Sequence, residues 1–164
     1  MKTKCIFLIL VLWVFSASAS AHEQLGELVL YKEPLFEIED ARKIDCQGLY
    51  DVESGNDVSS MRGFRDYWCQ GRYTLTLQGE SGKTVTLFGL FEYRKDRGFL
   101  VIRKTDNRKV WLINLDLLPE NKWVTRPADD KSGGVEIYFH AAPQFSQNIS
   151  SVKWGKWWEG DKPN

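Results

Sequence analysis

Between residues 67 and 117 the chain alternates apolar and polar positions in four runs joined by short polar connections. In the first, Tyr67, Cys69, Tyr73, Leu75 and Leu77 share one parity, the period of a strand with one buried face. Gly79-Glu80-Ser81-Gly82-Lys83 turns the chain into a second run at 84–93, rich in β-branched and aromatic residues. Lys95-Asp96-Arg97-Gly98 turns it into a third at 99–102, and Thr105-Asp106-Asn107-Arg108 leads into a fourth at 110–117. Runs of this kind with Gly-, Asn- and Asp-bearing connections predict an antiparallel meander.

The flanks extend the pattern. Ile44, Cys46, Gly48, Tyr50 and Val52 share one parity, which predicts a strand with Cys46 on its apolar face. Val135, Ile137 and Phe139 form the inward row of another strand, and 123–125 forms a short one. Residues 25–31 are expected to be an edge strand. Around Pro34 the chain either begins a short helix or continues extended. Residues 141–151 read as irregular, and 152–158 as the last ordered element. Seven or eight strands with little helix predict an all-β, single-domain antiparallel β-sandwich or up-and-down β-barrel over residues 22–164.

Residues 1–21 are excluded from that domain. Met1-Lys2-Thr3-Lys4 is basic, residues 5–15 are an unbroken apolar run of eleven, and small residues follow to Ala21. This is the layout of a cleaved signal peptide, with an apolar run too short to span a bilayer. Cleavage after Ala19 or Ala21 fits the small-residue rule, and the second leaves 143 of the 164 residues. Export to a periplasmic or secreted location follows, with no membrane span in the mature chain. In an oxidising compartment the two remaining cysteines, Cys46 and Cys69, are expected to form one disulfide. Losing Lys2 and Lys4 leaves 20 basic residues against 22 acidic ones, without the basic excess that nucleic-acid binding needs.

Candidate chemistry is sparse. Gly82-Lys83-Thr84 copies the end of a phosphate-binding loop, but Leu77 stands where the first glycine belongs and a strand follows, so it reads as a turn. Glu92, Asp116 and Glu136 are carboxylates in strand-like runs, with no spacing that brings two together, and no serine- or cysteine-centred nucleophile is recognisable. Asn148-Ile149-Ser150 has the form of a glycosylation acceptor. The aromatic content is heavier: six tryptophans follow residue 21, with Trp154, Trp157 and Trp158 clustered near the C-terminus. On a strand, Trp157 and Trp158 would point to opposite faces; on a helix, all three would share one. One reading has their rings closing the core; the other makes them the expected binding residues, either as a hot spot for a protein or as a platform for a glycan or small ligand.

A third reading uses the histidines. Cleavage after Ala21 gives His22 a free α-amine, and His140 would add a third nitrogen, a set that suits Cu(II). In these two residues alone the chain resembles secreted copper-binding β-sandwich proteins and copper polysaccharide oxidases. The leading expectation is an exported, non-catalytic binding module without a cofactor. Its ligand is expected to be a protein, as for an inhibitor or immunity-type module, or else a carbohydrate or small ligand.

Overall fold

The computed structural model describes residues 27–33, 48–62 and 72–163. Its strands are β1 (Glu27–Glu33), β2 (Gly48–Glu53), β3 (Arg72–Leu77), β4 (Thr84–Phe88), β5 (Phe99–Lys104), β6 (Val110–Leu112), β7 (Trp123–Arg126), β8 (Val135–His140) and β9 (Ser151–Trp154). A 3₁₀ turn covers Leu115–Leu117, and a single helical turn, α1, covers Phe145–Asn148. The strands form two antiparallel sheets of order β2-β1-β3-β6 and β7-β8-β5-β4-β9, so the fold is all-β.

One core lies between the sheets. Leu28, Leu30, Val52, Leu75, Leu77, Val110 and Leu112 come from the first, and Val85, Leu87, Leu100, Ile102, Ile137, Phe139 and Val152 from the second. Each set falls on one parity of its strand, and the inward row expected for β8 is the one observed. At one end of this layer Lys104 is buried, because it continues the inward row of Leu100 and Ile102. Its ammonium donates to the carbonyl of Leu77 on β3, at 3.5 Å, and to that of Arg108. A strand of one sheet is thereby tied to a strand of the other.

The meander expectation is corrected. Only β4 and β5 of its four runs pair as consecutive neighbours; β3 pairs with β1 and β6, while β5 pairs with β4 and β8. The connections at 78–83 and 105–109 carry the chain between sheets instead of closing hairpins. A short Gly-rich connection permits either course; β4 and β5 carry large apolar side chains on both faces, whereas β3 sets Leu75 and Leu77 inward and the smaller, buried Thr76 outward. A second correction concerns β1, which lies between β2 and β3 and is not an edge strand. Gly82, at φ +86°, belongs to the turn before β4, and Lys83 Nζ donates to Ser54 Oγ at 2.7 Å, so Gly82-Lys83-Thr84 is turn and strand.

The expected signal peptide, His22, the segment around Pro34 and the Cys46–Cys69 pairing lie outside the described residues. Among those described, no helix is long and apolar enough to cross a membrane.

Candidate functional site

The three C-terminal tryptophans separate. Trp154 ends β9 opposite Val85 and packs against the core between the sheets, with its Nε1 buried and unpaired among the described residues. Gly155 then turns the chain at φ +76°, a conformation other residues adopt only under strain. The segment 155–163 folds back across the outer face of the five-stranded sheet. Neither geometry expected for the tail holds, because the strand stops at Trp154. Trp157 and Trp158 both enter one outer cluster, their rings 5.6 Å apart and edge-on.

That cluster contains Phe88, Phe99, Val101 and Tyr138 from the sheet, joined by Tyr93 and Trp123. Trp157 lies 5.6 Å from Phe88 and 5.5 Å from Phe99, and its Nε1 donates to the buried Thr86 Oγ1 at 2.8 Å. Trp158 lies 6.0 Å from Trp123, whose own Nε1 donates to the carbonyl of Asp161 at 2.8 Å. Trp158 is 9% exposed. Burying such a ring is worth about 4–6 kcal/mol by area, an upper bound. The tail is therefore a covering layer, and the centre of this sheet is buried on both sides.

His140 stands on the same outer face, stacked on Phe99 at 5.2 Å, with Nδ1 2.9 Å from Asn121 Oδ1. Its pairing with His22 lies outside the described residues. The three carboxylates sit in separate elements: Glu136 pairs with Arg103 on the tail-covered face, Asp116 binds Ser146, and Glu92 occupies the turn after β4. Asn148 donates its amide to the Gln144 carbonyl, and Ser150 is buried, so the acceptor sequence is folded into the α1 corner.

The outer face of the four-stranded sheet is different. Asp51, Val29, Thr76 and Trp111 form a straight row across β2, β1, β3 and β6. Tyr31, two residues along β1 from Val29, brings its ring to 6.2 Å from that of Trp111, nearly parallel at 14°. Lys109 Nζ lies 4.9 Å from the Trp111 ring centroid. Among the described residues the large exposed apolar side chains are Trp111 at 47%, Ile113 at 59% and Leu117 at 78%. They fall within seven consecutive positions.

This stretch is held rigidly. Leu115 and Leu118, three apart, are both buried, so the 3₁₀ turn between them faces Leu117 outward. Leu117 N donates to the Asn114 carbonyl at 2.9 Å, and both carboxylate oxygens of Asp116 accept from Ser146. The free edge of β6 is covered at its start, where Trp111 N donates to Ser132 Oγ at 3.0 Å and Gly133 N to the Lys109 carbonyl at 2.7 Å. Glycine is required at 133, where a Cβ would stand 2.5 Å from the Arg108 carbonyl oxygen. Asp106, accepting from Gly134 N and Arg108 N, fixes the same corner, and these bonds hold its carboxyl below the usual range.

Sequence reasoning missed this surface. The signal was present in Val110-Trp111-Leu112-Ile113, an unbroken apolar run on a strand with only one face to bury. No protein-family model, curated protein or solved structure matches the chain.

Proposed function

We propose that the protein is an exported, non-catalytic binding module that takes a protein partner onto the outer face of the four-stranded sheet, at β6 and the 3₁₀ turn. The observation that carries this reading is the exposure of Trp111, Ile113 and Leu117 on a backbone fixed by buried neighbours. Anchors on a fixed backbone lose little conformational entropy on docking, and tryptophan is enriched at the centre of protein interfaces. A glycan is the weaker fit, since sugars stack on open aromatic faces. Here the ammonium of Lys109 stands by the Trp111 ring, and two of the three exposed side chains are aliphatic.

The same proposal includes a β-sandwich in place of an up-and-down barrel, supported by two separate sheets facing across one core. It includes a signal peptide ending at Ala21 and a periplasmic or secreted location. It also includes the Cys46–Cys69 disulfide. That bond is supported by the parallel course of β2 and β3 on either side of β1, which starts both strands at the same end of the sheet.

The test places a photo-crosslinking residue at position 117, and separately at Thr125 on the tail-covered sheet, in cells that produce the protein. One discrete protein adduct is expected from 117 and none from 125. The adduct's partner, purified, should bind the wild-type chain and lose affinity on Trp111→Ala. Equal adducts at both positions, or binding indifferent to Trp111→Ala, would refute the reading.

A further inference from the structure

Beside Leu117 the surface changes character. A groove of about 600 Å³ runs between the 3₁₀ turn and α1, with Asp116, Glu120, Gln144 and Gln147 on its walls and Phe139 and Ala142 on its apolar side. Among the described residues no basic one lines it; Lys122, the nearest along the chain, is not among its walls. The ion pairs among the described residues are Arg94–Asp96, Arg103–Glu136 and Lys153–Asp57, so no described cation pairs with Asp116 or Glu120. Asp116 is oriented by Ser146, which donates one bond to each of its oxygens and leaves each a lone pair. Glu120 is held by its bridge to Phe139, with Asn121 N donating to the Phe139 carbonyl at 2.7 Å.

Two carboxylates, two carboxamide acceptors and an apolar side match a cation carried on an alkyl stem. A guanidinium suits them best, since its planar fork can bond a carboxylate and a carboxamide together while its methylenes lie on Phe139 and Ala142. The groove begins at Asp116, and the exposed apolar anchor is the next residue, Leu117. We infer that the docking segment of the partner carries an arginine or lysine next to an apolar side chain, the cation entering the Asp116–Glu120 groove while the apolar group sits on Leu117 and Ile113. This rests on the docking face proposed above and adds the charge that selects its occupant. The opposite sign elsewhere on the partner is favoured by Lys109 at the Trp111 end.

The test titrates the ¹⁵N-labelled mature chain with an acetylated, amidated pentapeptide that has arginine between two leucines. The same peptide with glutamine in place of arginine is the control. Resonances of the Gln144 and Gln147 side-chain amides and of Ala142 are expected to shift with the arginine peptide, together with Leu117, saturating on the order of millimolar. Glu120→Gln should weaken that binding about threefold to fivefold, as should raised salt, with the fold unchanged. Equal shifts at Trp111 and Leu117 from both peptides, with the groove silent, would overturn the charge selection while leaving the apolar docking face standing. Groove shifts unaffected by Glu120→Gln would overturn it as well.

Discussion

The two outer faces of this protein carry similar side chains and meet opposite fates. On the five-stranded sheet, Phe88, Phe99, Tyr138 and Trp123 would be a broad aromatic surface, but the chain's own tail lies over them through Trp157 and Trp158. On the four-stranded sheet, Tyr31 and Trp111 lean together over Val29 and Thr76, and past them Ile113 and Leu117 stand exposed. The difference does not lie in aromatic content. It lies in which part of each face stays open: the tail crosses the centre of one, while on the other Val29 and Thr76 are buried and Trp111 on the β6 edge remains exposed. A tail that follows β9, the edge strand beside β4, can fold back over its own sheet at the entropic cost of one short loop. Among the described residues, no such cover follows β6. Aromatic residues near a terminus are thus a structural layer here, and a short internal run is the surface proposed for recognition.

Removing one ring from each face should separate the two. Trp158→Ala leaves a void against Trp123 and Trp157 and is expected to destabilise the fold by about 3 kcal/mol. For a domain of this size that lowers Tm by roughly 10 °C. Trp111→Ala should cost about 1 kcal/mol or less, because half of that side chain is already in water. Urea unfolding of both variants measures the contrast. Equal losses would show that the two faces are not closed and open in the sense argued.

Much of the closed face was legible in the sequence once burial on two sides is considered. Phe99-Leu100-Val101-Ile102 does not alternate at all, and Leu87-Phe88 and Tyr138-Phe139 break the period at the same level of the sheet. A strand apolar on both parities needs two covers, and the tail is the remaining aromatic segment able to give the second. Reading these strands as one-sided left open whether the tail closes the core or stands exposed. The inward rows of β2, β3 and β8 were legible because period two survives any change of partner. Strand order was not: β3 followed by a short Gly-rich connection looks the same whether β4 pairs with it or crosses to another sheet. The Asp116–Glu120 groove was illegible for a different reason. Its walls come from the 3₁₀ turn, the approach to β7 and α1, brought together by the packing of Phe139 against Phe145, the Ser146–Asp116 bonds and the bridge of Glu120 to Phe139.

Two further effects, each smaller, sharpen the contrast between the sheets. If Cys46 and Cys69 are bonded, the tie serves the sheet that has no tail over it, and reduction should cost about 3 kcal/mol by loop-closure entropy. Amide exchange would then rise first in β1 and β3, ahead of β4 and β5; uniform loss across both sheets, or two free thiols by alkylation without reductant, would remove the idea. The second effect is electrostatic. Burial pushes the Lys104 ammonium below the ordinary lysine value of 10.5, with Asp106 acting against it. Between that lowered value and 10.5 the unfolded chain binds more protons than the folded one, so this group makes stability rise with pH across the window. Lys153, at the rim of the tail-covered face, is shifted the other way by its bond to Asp57, so its contribution is full below 10.5 and lost as pH rises through its folded value. Subtracting the pH–stability curve of Lys104→Met from that of wild type should leave only the rising component. A flat difference would mean the ammonium between the sheets is solvated.

The smallest expected effect on stability is the most informative about function. Leu117 is 78% exposed, while Leu115 and Leu118 on either side are buried, so replacing Leu117 removes little from the fold. Leu117→Ser should change unfolding free energy by about 0.5 kcal/mol or less, in either direction. Leu118→Ser, one residue away, should cost several times as much by placing a hydroxyl in the core. The pair separates a side chain kept for packing from one kept for contact. If Leu117 anchors a partner, Leu117→Ser lowers affinity by about tenfold or more, the scale of losing the burial of one leucine side chain, while its melting curve overlays that of wild type. Should Leu117→Ser instead melt like Leu118→Ser, the exposed leucine contributes to the fold after all, and the open face loses its outermost anchor.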